Sequence, residues 1–263
     1  TRIHIRIGYC VDSDTEILTD NGWVRYDKLS INDNVFTLNH ETGKSEWNKV
    51  DAINIFENTN EDMISIDGQF HSSLTTLDHK WPVYKDYSNN INKRQREWTT
   101  SKELQTNHKI ILGAEFDNFP KEKMHKDSFV ELVAWFWTEG HICNIGKNRN
   151  PLIKISQSNS VNMNNVISIR KACHDYFEKP SEILKGGKVA DHNKRWNEKN
   201  RNNRSEALFT INASGSKEFL RVAPGKIVSL DFIKELTRDQ LELFIRISNL
   251  ADGHNCKTHK SGF

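Results

Sequence analysis

The sequence predicts two domains of different class, an all-β domain followed by an α+β domain, with the change of character near residue 118. Three observations carry this. Between residues 14 and 112, short apolar or β-branched runs alternate with turns built from Gly, Asn and Asp, the rhythm of a compact antiparallel domain. From residue 128 onward apolar residues recur at helical spacing over 128–139, 161–177 and 237–251, with strand-like Leu152–Ser156 and Ala207–Asn212 between them. The first and last of these helical segments share one pattern, an apolar helix closed by an acidic residue and a glycine.

The β elements follow in order. Glu16–Thr19 runs into Asp20-Asn21-Gly22 and then Trp23–Tyr26, a hairpin signal. A second turn, Glu41–Lys44, separates Val35–Leu38 from Trp47–Ile55. Met63–Ile66, Ser73–Thr76, Trp81–Tyr84 and Lys109–Leu112 complete the strand-like runs. In the second domain, Ser128-x-x-Glu131 and Thr237-x-x-Gln240 read as capping boxes for the two related helices.

With 263 residues the chain is long enough for two modest cores, and its 27% charged residues are ordinary for a globular protein rather than a disordered one. No run approaches the roughly 20 apolar residues of a membrane span. Thr1–Tyr9 lacks the apolar centre of a signal peptide, so a cytoplasmic, intracellular protein is expected. Cys10, Cys143, Cys173 and Cys256 form no CxxC pair, which argues against a zinc site or disulfide framework. The formal net charge is only +2, but residues 185–204 hold seven Lys/Arg against Asp191 and Glu198, with Trp196 and five Asn among them. That segment reads either as a solvated loop or as a surface for phosphates and base edges.

The stretch from Cys10 through Leu29, with its acidic-Thr strand, Gly turn and second strand, resembles the opening block of inteins. Leu74–Val83 resembles their second block, whose core is Thr-x-x-His. Thr-x-x-His occurs four times, at Thr1/His4, Thr37/His40, Thr76/His79 and Thr138/His141, so the tetrapeptide alone says little. Only the third lies about 70 residues after the cysteine with a β run before it and Trp-Pro-Val behind it. Trp98–Leu104 and Lys109–Leu112 are similar to the segment that closes this half before an inserted endonuclease.

The chemistry fits these residue types. A cysteine just after a peptide bond can attack the preceding carbonyl, here that of Tyr9, through a five-membered ring at high effective concentration. The resemblance implies that His79 protonates the leaving nitrogen, that Thr76 hydrogen-bonds the histidine or the tetrahedral oxygen, and that Asp78 orients the site. It also implies that 1–9 is the tail of a covalently attached host protein (the extein) and that 10–118 is the N-terminal part of a Hint-like splicing domain. The plainer reading of Cys10 is a small buried residue, and that of His79 an ordinary histidine.

The segments Ser128–Gly140 and Thr237–Gly253 resemble the paired LAGLIDADG motifs of homing endonucleases, Leu250-Ala251-Asp252-Gly253 more closely than the first. A carboxylate at a helix C-terminus opposes the dipole, and two at matching places suggest function. The resemblance implies that Glu139 and Asp252 are Mg²⁺ ligands in phosphodiester cleavage of double-stranded DNA. It implies further that Lys185, Lys188, Lys194, Arg195, Lys199, Arg201 and Arg204 lie on a DNA-contacting hairpin. The first motif departs from the family in its Glu and in bulky Trp135 and Trp137; the plainer reading is two core helices ending in glycine. The endonuclease, 119–263, is expected to be incomplete in its second repeat, and the closing intein blocks are not found. Asn255-Cys256 lacks a preceding strand and is set aside as a splice junction. The chain is thus expected to be an N-terminal fragment or one half of a split intein, with a C-terminal half as a possible partner. A DNA-binding protein with a degenerate nuclease and a hedgehog-type autoprocessing domain stand as alternatives.

Overall fold

The structure, a computed structural model, describes residues 10–56, 62–68, 71–85, 96–143, 150–177, 195–201 and 205–252. The chain divides into two compact units, 1–118 and 119–263. It is a mixed α/β protein in which every pairing between strands is antiparallel, with five α-helices and no closed barrel among the described residues.

Among its described residues unit 1 carries nine strands in three sheets. The hairpin β1 (Glu16–Thr19) and β2 (Gly22–Arg25) forms with Thr19 opposite Gly22, whose φ of +112° suits a residue without a Cβ. β3 (Asn34–Leu38) and β4 (Ser45–Lys49) extend it in the order β2-β1-β3-β4. β4 stops well short of the expected Ile55. Val50 N–H turns to the Asp33 carbonyl and Asn32 N–H to the Val50 carbonyl, so the ladder closes there. β5 (Met63–Asp67) pairs β6 (Ser72–Thr76), while β7 (Lys80–Tyr84) lies between β8 (Arg96–Thr100) and β9 (Lys109–Ile110). Among the described residues of this unit only Val35, Val50 and Val83 are buried hydrophobic side chains, whereas Trp23 is 65% and Trp98 51% exposed.

Unit 2 has the larger core. Helix α1 (Asp127–Glu139) is apolar almost all round, burying Phe129, Val130, Leu132, Val133, Ala134, Trp135 and Phe136, as a helix covered on most sides must. It packs on α2 (Met163–Phe177), on α5 (Arg238–Asp252) and on a sheet of order β10-β11-β13-β12. The strands are Gly140–Cys143, Leu152–Ser158, Glu206–Ile211 and Trp196–Arg201 for β10, β11, β13 and β12. β11 alternates as the sequence implies: Ile153, Ile155 and Gln157 face the helices, and Lys154, Ser156 and Ser158 face away.

Two features depart from the sequence reading. Ser128 does not cap α1: the helix begins one residue earlier, with Lys126 at the cap position. Glu131 instead accepts from Ser168 and Trp135, tying α1 to α2. The Thr237/Gln240 box does form, and Gln240 Nε2 also donates to His125 O at 2.7 Å and to Asp127 Oδ1 at 2.9 Å, joining the starts of α1 and α5. Helices α3 (Ala213–Val222) and α4 (Leu230–Lys234) carry weak sequence signals. α3 opens Ala-Ser-Gly-Ser, yet Asn212 caps it by accepting from Gly215 N–H at 2.9 Å. A Cβ on Gly215 would stand 2.7 Å from Ile211 Cγ2, which is why this poor helix former sits there.

Candidate functional sites

In unit 1 the residues around Cys10 run antiparallel to β6. Asp12 N–H donates to Leu74 O at 3.0 Å, Val11 bridges Thr75, and Thr76 N–H donates to Cys10 O at 3.1 Å. The Cys10 N–H, which belongs to the Tyr9–Cys10 peptide bond, donates to Thr76 Oγ1 at 3.1 Å. His79 N–H then donates to Thr76 O at 3.1 Å. The Thr-x-x-His spacing is therefore a β-turn with threonine first and histidine last, and a turn brings its end residues within about 7 Å. Cys10, partly buried, sits against the first residue of that turn.

The other two described Thr-x-x-His tetrapeptides are spent differently. Thr37 sits in β3 with Asn48 and Glu46 as partners, His40 stacks on Trp98, and the Thr138 hydroxyl donates back to Ala134 O within α1. Thr1/His4 lies outside the described residues. Asp78 forms a half-exposed ion pair with Lys102 at 3.2 Å.

A buried group that the sequence reading did not single out lies behind this turn. Ser101 is 4% and Thr75 0% exposed. Ser101 Oγ is 2.7 Å from Thr75 Oγ1 and accepts from Trp81 Nε1 at 2.9 Å, and Ser101 N–H donates to His79 O at 2.8 Å. The available signal was a run of hydroxyl residues, Thr99-Thr100-Ser101, ending a strand.

In unit 2, Glu139 and Asp252 are each the last residue of their helix, α1 and α5, which pack on one another with Trp137 stacked on Phe244 at 5.6 Å. The Asp252 side chain lies outside what is described. Gly140 does not end α1 by a left-handed turn. Its φ is −89°, and it leads straight into β10. It is required because a Cβ would stand 2.5 Å from Phe136 O and 2.6 Å from Phe136 Cδ2. Glu139 borders a depression of about 390 Å³ with Ser156, Gln157, Ser158, Asn162 and Glu206. Gln157 is 4% exposed; its Oε1 accepts from Asn162, and its Nε2 is buried without a hydrogen-bond partner.

Lys226 is a further residue the sequence reading missed. Its Nζ donates to Thr138 O at 3.2 Å, placing a cation at the negative end of α1 beside Glu139. The signal was available in Pro224-Gly225-Lys226, where Gly225 at φ +60° and Lys226 at φ +68° bend the chain back. Lys154, Arg201, Lys226 and Glu206 lie within electrostatic reach of His141. Burial, then the three neighbouring cations, lowers the His141 pKa below its ordinary value, partly offset by Glu206.

Of the expected DNA-contacting residues, Lys185, Lys188, Lys194 and Arg204 lie outside the described residues. Lys199 and Arg201 alternate with Glu198 and Asn200 on β12, opposite Leu208 and Glu206, so they share the sheet face of Lys154, Ser156 and Thr210. Arg201 pairs with Glu206 at 3.3 Å, and exposed Arg195 precedes the strand. Glu198, on the helix side, holds Arg170 through two bonds of 2.7 Å.

Among the described residues no cluster of three or more His, Cys, Asp or Glu side chains is arranged to hold a metal ion, and no helix is long and apolar enough to cross a membrane. Compared with known proteins, the chain matches no family model and no curated protein.

Proposed function

We propose that the chain is the N-terminal part of an intein, in which Cys10 begins protein splicing by an N-to-S acyl shift, joined to a LAGLIDADG-type homing endonuclease domain. The observation that carries the reading is the Cys10 N–H bound to Thr76 Oγ1 at 3.1 Å, with His79 closing the same turn. The Cys10 thiolate attacks the Tyr9 carbonyl carbon, and the tetrahedral intermediate collapses as the C–N bond breaks, leaving a thioester and a free Cys10 amine. The nitrogen must gain a proton. Thr76 holds that nitrogen in place, and His79 supplies the proton. Asp78, bound to Lys102, fixes the turn from its outer side.

In the second domain Glu139 and Asp252 would hold Mg²⁺. A hard carboxylate bordered by Ser156, Ser158 and the Gln157 amide fits a cation that completes its shell with water and phosphate oxygens. When bound, the metal supplies charge stabilisation for phosphodiester hydrolysis. The protein's own part is to orient the DNA: Lys154, Lys199 and Arg201 on one sheet face, with Arg195 and the basic segment 185–204, neutralise phosphates, and Lys226 offers a donor beside Glu139. Partners are double-stranded DNA, the attached host polypeptide and a C-terminal intein half, for which the sparse core of unit 1 leaves apolar surface to cover.

The test is mass spectrometry of the chain with dithiothreitol, alone and with a C-terminal intein half. Release of the Thr1–Tyr9 peptide, lost in Cys10→Ala, is expected; no release from a folded chain in either condition overturns the splicing reading.

A further inference from the structure

We infer that Ser101 is a positioning residue for the Cys10 chemistry, acting through His79 and Trp81; the inference rests on the splicing half of the proposed function. Ser101 follows β8 and opens a single 3-10 turn, Ser101–Glu103. A hydroxyl with only 4% of its residue exposed must find its partners inside the protein. Here it uses all of them. The Trp81 indole nitrogen only donates, so Ser101 Oγ accepts from it at 2.9 Å. Ser101 Oγ also lies 3.4 Å from His79 O and 2.7 Å from Thr75 Oγ1, a hydroxyl pair in which either side chain can donate. Ser101 N–H reinforces the bond to the same His79 carbonyl at 2.8 Å.

One residue therefore grips the histidine by its backbone and also grips the ring the histidine rests on. The Trp81 ring meets the His79 ring edge-on, with centroids 4.9 Å apart at 63°, and meets His71 at 5.4 Å and 84°. Through Thr75, paired with Val11, the same hydroxyl reaches the strand segment that carries Cys10. Ser101 thus ties the proton donor and the nucleophile's strand to one point. Intramolecular reactions depend steeply on such geometry, and a shift of about 1 Å costs on the order of a hundredfold. Titratable side chains on the turn and the segments beside it include Cys10, His71, Asp78, His79, Lys80, Lys102 and Glu103, while the Ser101 hydroxyl itself bonds Trp81, Thr75 and the His79 carbonyl.

The test uses the full chain with Ser101→Ala, which removes the hydroxyl, and Ser101→Thr, which keeps it. Dithiothreitol-induced release of the Thr1–Tyr9 peptide, followed from about pH 6 to about pH 9, should slow about tenfold or more in Ser101→Ala with a displaced pH profile, and recover to within a few fold in Ser101→Thr. In parallel, ¹⁵N NMR should show the Trp81 indole and His79 ring resonances moved by Ser101→Ala and restored by Ser101→Thr. Unchanged release and unmoved His79 resonances in folded Ser101→Ala overturn the inference. If the parent chain itself releases no peptide, the splicing reading fails, and the His79 resonances alone decide the positioning role: moved and rescued upholds it, unmoved ends it. Should Ser101→Ala not fold, Trp81→Phe, which deletes the indole donor, takes its place, read by peptide release and the His79 ring resonances.

Discussion

Cys10 and Thr76 hold each other by two hydrogen bonds of 3.1 Å, Cys10 N–H to Thr76 Oγ1 and Thr76 N–H to Cys10 O. The second is an ordinary strand contact that any residue at position 76 except proline makes. The first depends on the hydroxyl. Thr76→Val keeps the shape and the strand contact and removes only the acceptor at the nitrogen that must be protonated. Release of the Thr1–Tyr9 peptide should fall by about tenfold or more with little change in melting temperature. An unchanged release rate would remove Thr76 from the chemistry.

The DNA reading separates binding from cleavage. Glu139→Gln should abolish Mg²⁺-dependent nicking of cognate DNA while binding persists, since the basic sheet face is untouched. Lys199→Ala and Lys154→Ala should each lower the slope of log affinity against log salt by about one. Gel-shift titrations at several salt concentrations measure both. A Glu139→Gln protein that still nicks contradicts the metal assignment.

Gly140→Ala is expected to destabilise unit 2 by about 1–3 kcal/mol, because the new Cβ would meet the Phe136 carbonyl at 2.5 Å and cannot move away from backbone. Gly22→Ala has free space but a φ of +112°, so its penalty is conformational, about 1 kcal/mol. Urea denaturation of both variants tests the order.

Asp127 links pH to the α1–α5 junction. A hydrogen bond from Lys123, then one from Gln240, lowers its pKa below the usual carboxylate value despite partial burial. A carboxylate with a lowered folded-state pKa binds its proton more weakly than in the unfolded chain. Its stabilisation is therefore complete above the ordinary Asp range and lost as pH falls through the lowered value. Asp127→Asn should flatten the decline in melting temperature between about pH 5 and about pH 2. An identical decline in both proteins refutes the linkage.

The two units should not unfold together. Unit 2 buries a continuous cluster running from Phe129 through Ile247, whereas the described part of unit 1 buries three valines. Denaturation followed through Trp fluorescence in single-Trp variants should show the unit 1 reporters Trp47 and Trp81 lost before Trp135 and Trp196. Addition of a C-terminal intein half should raise the first transition. One coincident transition for all four reporters would contradict this.

Local rules alone account for part of this architecture. The Asp20-Asn21-Gly22 hairpin, the alternation of β11, the long apolar helices and the Thr237/Gln240 cap all follow from side-chain periodicity and backbone preference, which act over a few residues. Long-range packing sets the rest. Of four Thr-x-x-His tetrapeptides, sequence context singles out Thr76/His79, but the hydrogen bond from Cys10 N–H to Thr76 Oγ1, across 66 residues, comes from long-range packing that no local pattern encodes. Lys226 reaching Thr138, Ser101 gathering Thr75, Trp81 and His79, and the start of α1 at Asp127 instead of Ser128 were equally out of local reach. In each case the outcome was set by how segments distant in sequence pack.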